Sequence, residues 1–166
     1  MRKSVLAIAA VAALAACASR PTTTGPAPEP TPGPTTQAPQ GPVAGSVEDF
    51  RVSVGDRIFY GYDRFDLTPE ARAVLERQAA WLRQYPNVNV LVAGNCDERG
   101  TREYNLALGA RRAAAARDYL VSLGVAANRL ETVSYGKERP LDPRANEEAW
   151  SVNRNAHTQI VSGAVA

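Results

Sequence analysis

From residue 57 onward the chain switches between two hydrophobic periods. Arg57–Tyr62, RIFYGY, concentrates aromatic and β-branched residues and predicts a strand. In the following LTPEARAVLERQAAWLRQYP the period changes: Ala71, Leu75, Ala79 and Leu82 recur three or four positions apart. Thr68 suits the N-cap, Pro69 the first helical position, and Pro86 the stop, so an amphipathic helix is predicted between them. Asn87–Gly94, NVNVLVAG, puts Val88, Val90 and Val92 on one face of a second strand. A second helix is predicted from about Arg102 to Leu123, with Leu106, Ala113 and Leu120 in one stripe, Ala116 and Leu123 beside it, and Gly124 as its stop. RLETVSYG reads as a third strand and Ala156–Val161, AHTQIV, as a fourth; Glu147–Ser151 predicts a short helical turn between them.

Strand, helix, strand, helix, strand, short helix, strand defines an α/β sandwich. If the first two strands are parallel neighbours joined by a right-handed crossover, both finish at one edge of the sheet. Asp63 follows the first and Asp97 the second, so two carboxylates are expected there, where ligands tend to sit in α/β layers.

Upstream the pattern dissolves. In residues 18–45, 18 of 28 positions are Pro, Thr or Gly, and no apolar period survives. Such a segment cannot bury enough surface to order itself. Extended at ~3.1 Å per residue, residues 18–49 reach on the order of 100 Å, and as a coil about 30 Å. Before it stands MRKSVLAIAAVAALAA, a basic start and a short apolar run with the layout of a secretory signal. The LAAC that ends at Cys17 resembles the lipobox of bacterial lipoproteins, which implies acylation of Cys17 and cleavage before it. Two or three acyl chains make a stable anchor where one does not. The Ala18 and Ser19 that follow lack the aspartate that favours inner-membrane retention, so the resemblance implies the outer membrane. The expected organisation is a signal at 1–16, a lipidated cysteine and disordered linker at 17–49, and a head at 50–166.

Charge and cysteine content narrow the function. The 166 residues carry 19 basic and 17 acidic side chains, a net charge of +2 that argues against nucleic acid as the partner. Cys17 and Cys96 allow at most one disulfide. The mature part holds no apolar run long enough to span a bilayer.

The chemistry gathers in GNCDERGTREYN, Gly94–Asn105, between the second strand and the second helix. Taken with the following LALGARRAAAARDYL, then VSYGKERP and NRNA, it resembles the OmpA-like peptidoglycan-binding domain family over about Ile58–Val161. The resemblance implies a two-layer sandwich with a four-stranded sheet and two main helices, no enzymatic activity and no cofactor or metal. It implies a site for the diaminopimelate residue of the peptidoglycan stem peptide. Asp97 and Arg112 match the family's ligand-binding aspartate and arginine; Asp63, Arg99, Thr101, Asn105 and Tyr62 match positions lining the same pocket. Further implied partners are the propeller protein TolB and other components of the Tol–Pal envelope system. The sequence departs from the family at Asn95–Cys96, often His or Thr there, and at Asn155, often a second arginine.

These residue types suit that ligand. The free end of diaminopimelate carries an ammonium and a carboxylate on one carbon. Asp97 supplies an anion for the first, and Arg112 a forked donor for the second. Asn105 and Arg112, seven apart, share a helix face. A helix descending from the sheet edge would put Arg112 ~15 Å below its start, so the loop after Asp97 is expected to rise above that edge. By pattern alone Asp97 and Arg112 read first as a structural ion pair; the resemblance reverses that order, and both roles are compatible. Arg111 and Arg117 read as solvated helix charges, Tyr60 and Trp81 as packing residues, His157 as a satisfied histidine. Two other functions stay open: an OmpA-like envelope anchor with different partners, such as a secretion-system lipoprotein, and a wall hydrolase using Cys96, His157 and Asp97, which needs a base within reach of the thiol.

Overall fold

The computed structural model describes residues 41–166. The signal segment, Cys17 and the linker up to residue 40 lie outside the described residues. The described elements are a short helix α1 (Val47–Asp49) running into a π-helical turn (Phe50–Val54), β1 (Arg57–Phe59), α2 (Pro69–Gln84), β2 (Asn89–Asn95), α3 (Arg102–Ser122), a 3₁₀ turn (Ala127–Arg129), β3 (Leu130–Gly136), α4 (Glu147–Asn153) and β4 (Asn155–Ser162).

The helix ends form as their residues dictate. Thr68 Oγ1 accepts from the Ala71 amide at 3.2 Å with Pro69 at the first helical position. Thr101 caps α3 in the same way through the Tyr104 amide. α3 stops where Gly124 turns left-handed, φ 91°. The Gly124 amide then donates to Val121 O and the Val125 amide to Leu120 O, the two hydrogen bonds of a Schellman motif.

The four strands form one sheet in the order β1-β4-β2-β3. β4 is antiparallel to both β1 and β2, and β2 is parallel to β3. The expectation that β1 and β2 are neighbours is thus corrected: the last strand inserts between them. Hydrophobic alternation marks a strand and its buried face but not its place in the sheet. The consequence for the edge survives, because two strands each antiparallel to β4 run in the same sense and finish at the same edge.

Both long helices cover the face that presents Val88, Val90 and Val92. Leu75, Ala79 and Leu82 of α2 and Ala113, Ala116 and Leu120 of α3 close over these valines, Ile58 and Ala156 as one buried core. α3 lies unusually close to the sheet at one point. A Cβ at Gly94 would stand 1.8 Å from Gly109 O, and one at Gly109 would stand 2.3 Å from Ser134 Oγ. Two glycines facing each other let the helix descend onto β2 and β3 and fix the depth of the next turn, which carries Arg112.

The head takes in residues that composition assigned to the linker. Ser46 bridges Val165 and caps α1, and Asp49 Oδ2 accepts from Trp81 Nε1 and the Gly45 amide, both at 2.9 Å. Phe50 then meets the Trp81 ring edge-on, centroids 4.9 Å apart. The chain therefore enters beside the start of β2 and the end of β4.

Candidate functional site

At the opposite edge, where β1 and β2 end, the loops after them and the first turns of α3 enclose a cleft of about 230 Å³. Tyr62 and Asp63 enter from the β1 loop, Cys96, Asp97, Arg99 and Gly100 from the β2 loop, and Tyr104, Asn105, Leu108 and Arg112 from α3. The cleft runs down the flank of α3 instead of sitting above its start. That is how Arg112, more than two turns along the helix, shares it with Asp97: Gly109 packs at the level of Gly94, so the first turns of α3 stand above the sheet edge and the loop after Asp97 rises to meet them, as expected.

Asp97 is 5% exposed. Its carboxylate accepts from Arg99 Nη2 at 2.6 Å and Nε at 3.2 Å, from the Arg99 amide at 3.1 Å, and from Arg154 Nη1 at 3.3 Å. Burial works to raise its pKa, but the Arg99 bonds and charge and the Arg154 bond outweigh burial and hold it below the ordinary value. Asp97 and Arg112 make no ion pair, so the structural-pair reading of these two is corrected: the partners of Asp97 are Arg99 and Arg154.

Arg99 lies between two aromatic rings, with its guanidinium carbon 4.1 Å from the centroids of both Tyr62 and Trp150. This cation–π stack fixes the arginine that fixes Asp97. Arg154, buried at the start of β4, also donates to Tyr60 O at 3.1 Å and to Glu147 at 2.7 Å. It ties the end of β1, Asp97 and the first turn of α4 together.

Arg112 is fully buried. Its Nε donates to Arg64 O at 2.8 Å, Nη1 to Asn95 O at 2.8 Å and Nη2 to Gly61 O at 3.0 Å. Three carbonyls, two from the loop after β1 and one from the end of β2, converge on one guanidinium, and Tyr60 OH donates to Arg112 O at 2.8 Å. Desolvation lowers its pKa, yet an arginine keeps its charge. Among the described residues no carboxylate pairs with it. Three of its five N–H groups are used, leaving one on each Nη nitrogen.

The remaining sequence-predicted residues divide. Asp63, with a left-handed backbone at φ 55°, accepts from Tyr104 OH and has no arginine or lysine partner among the described residues. Asn105 is buried, and its amide nitrogen donates to Arg99 O at 2.7 Å and Thr101 O at 3.1 Å, so it braces the loop. Thr101 does not line the cleft; its hydroxyl is spent on the helix cap. Tyr104, Trp150 and Arg154 were not singled out from sequence. Tyr104 lies in GNCDERGTREYN and Arg154 in NRNA, motifs that contain these residues without marking them. Trp150 carried no signal beyond its residue type.

Cys96 is buried, and its thiol donates to Asn105 O at 3.4 Å. Burial pushes the thiol pKa up against the opposing charge of Arg112, the wrong direction for a nucleophile. His157 does not line this cleft; its Nε2 lies 3.1 Å from Asp56 Oδ2, as a satisfied histidine. Desolvation and the Arg57 charge lower its pKa.

The profile of the OmpA family matches residues 59–154, most of the head. The chain belongs to the OmpA family. Within it, the chain is 50% identical over 160 residues to the peptidoglycan-associated lipoprotein of Mesorhizobium japonicum, covering 96% of this chain and 92% of that one. It is 57% identical over 120 residues to the peptidoglycan-associated lipoprotein of Rhizobium meliloti, covering 72% and 68%. The crystal structure of the peptidoglycan-associated lipoprotein from Burkholderia pseudomallei superposes with a TM-score of 0.62 at 39% identity, over 63% of this chain and 89% of that one. The C-terminal domain of Helicobacter pylori MotB shares the fold, with a TM-score of 0.61 at 23% identity, over 64% of this chain and 84% of that one. No helix among the described residues is long and apolar enough to cross a membrane.

Proposed function

We propose that this protein is a non-enzymatic lipoprotein that holds peptidoglycan non-covalently in the Asp97–Arg112 cleft, through the diaminopimelate of the stem peptide. One observation carries the reading: a fully buried guanidinium lines a cleft that also holds the Asp63 carboxylate, and among the described residues neither has a partner of opposite charge. A buried charge left uncompensated is costly, and a ligand carboxylate is its natural complement. The two free N–H groups of Arg112 are the donors for that carboxylate, while Asp63 and Asp97 face the ammonium. Arg99, Tyr62 and Asn105 hold Asp97 and its loop in place. Thr101 acts through the helix cap.

The rest of the reading is supported by the lipobox-like LAAC and by what the family resemblance implies. Cys17 carries the acyl chains that anchor the protein in the outer membrane, and residues 18–45 form the arm. Ser46 enters the head at the sheet edge opposite the cleft, about 20 Å away along β2. TolB and the other Tol–Pal components are the protein partners, in envelope integrity and division, and they are expected in a pull-down from envelope extracts. Mass spectrometry of the mature protein tests the anchor: an acylated Cys17 at its amino terminus is expected, and an unmodified Cys17 refutes it.

The ligand is tested by sedimentation with isolated cell walls. Walls with diaminopimelate are expected to bring the protein down. Walls with lysine, which lacks the distal carboxylate, are expected to bind roughly 30-fold or more weakly. Equal binding to both wall types overturns the assignment.

A further inference from the structure

A second and larger cleft, about 490 Å³, adjoins the first. The two share a wall. In the β2 loop, Asp97, Arg99 and Gly100 line the first cleft, while Glu98 lines the second. Trp150 of α4 lines the second cleft, carries Arg99 of the first over its ring at 4.1 Å, and donates its indole N–H to Glu98 Oε1 at 3.1 Å. Lys137 of the second cleft fastens the same loop by donating to Glu98 O at 3.0 Å and Gly100 O at 2.7 Å. A ligand that fills the first cleft and continues past this loop enters the second.

The chemistry of the lining selects what it accepts. Its two cations are engaged: Lys137 on those carbonyls, Arg144 on Asp142 at 2.7 Å. An anionic segment therefore finds no free partner there and meets the carboxylates of Glu98 and Glu138. Those carboxylates, Glu98 accepting from Trp150 and Glu138 facing Arg102 at 3.2 Å, keep lone pairs for further donors and are set beside Trp150 and the rings of Pro140 and Pro143. Acceptors with an aromatic and apolar wall suit a neutral polyol, which offers many O–H donors and an apolar ring face. The volume lies within the range of clefts that enclose a ligand of several rings.

We infer that this second cleft is a carbohydrate subsite, taking the neutral amino-sugar units of the same polymer whose peptide occupies the first. The inference rests on the peptide-binding reading above. It assigns the glycan a share of the affinity and gives Trp150 two functions, a wall for sugar and a support for Arg99.

The experiment is calorimetric titration of the full-length protein in detergent with two purified ligands, the free stem tripeptide containing diaminopimelate and the same tripeptide joined to its disaccharide. The native protein is expected to bind the glycosylated form roughly tenfold more tightly. Glu138→Ala, an exposed position that lines only the second cleft, is expected to remove most of that difference while leaving affinity for the free peptide within about twofold. Equal affinity of the native protein for both ligands, or an advantage unchanged in the variant, overturns the subsite. Failure to bind either ligand instead overturns the peptide reading on which the subsite rests, and the subsite with it.

Discussion

The helix-covered face of the sheet and its ligand edge are both buried, but by opposite means. Under α2 and α3 the buried groups are apolar: Leu75, Leu82, Val90, Val92 and Leu120 need only be removed from water. At the edge the buried groups are Asp97, Arg112, Arg154, Asn95 and Asn155, each tolerable only because a partner meets it. Asn95 Nδ2 donates to Asn155 Oδ1 at 2.9 Å, Arg154 to Asp97, and Arg112 to three carbonyls. The core resists disruption through packing and the edge through a closed set of hydrogen bonds. The edge alone keeps a charge in excess, and there a ligand adds what the protein lacks.

Paired substitutions break this comparison most sharply. Arg112→Ala orphans three carbonyls and is expected to destabilise the head by roughly 3–5 kcal/mol while abolishing wall binding. Leu75→Ala is expected to destabilise it by roughly 2–5 kcal/mol through a cavity, with wall binding by the folded fraction unchanged. Urea denaturation followed by circular dichroism, with wall sedimentation below the unfolding range, measures both. An Arg112→Ala protein of native stability would show that the three carbonyls do not depend on it.

Asp63→Asn sharpens the comparison by separating binding from folding. This carboxylate has no cationic partner to orphan, so stability is expected to stay within about 0.5 kcal/mol. Loss of the charge opposite the ligand ammonium is expected to weaken wall binding about tenfold or more. Unchanged binding would remove Asp63 from the site.

The smallest effect is a pH dependence. The folded pKa of Asp97 lies below its ordinary value of 3.8. Its stabilising contribution is therefore fully present above that value and fades as pH falls through the depressed one. Asp97→Asn is expected to flatten the acid limb of the stability curve below about pH 4 and to leave its shape near neutrality unchanged. An acid limb identical to that of the native protein would show that Arg99 and Arg154 give the carboxylate no net stabilisation.

Much of this molecule was legible because its signals are local. Thr68–Pro69 and Thr101 cap helices through atoms three residues away, and Gly124 stops α3 by its own backbone. The valine alternation of β2 announces a buried face wherever the strand stands. The cleft residues Asp97, Arg99, Asn105 and Arg112 are legible because they cluster in one stretch that resembles a family. Thr101 shows the limit of that route, since it stands in the stretch but spends its hydroxyl on the cap.

The sequence by itself determined the four strands and the two long helices, their apolar faces, the α/β class and the residue types at the edge, because each depends on neighbours within a turn or a strand. Only the tertiary structure decided that β4 separates β1 from β2, that Asp97 pairs with Arg99 and Arg154 and not with Arg112, and that Trp150 reaches across from α4 to steady Arg99. Those outcomes depend on which distant segments meet. Partner choice among several arginines of equal charge is made by distance and angle, set here by the facing glycines Gly94 and Gly109 and by the strand order, and no local pattern carries either.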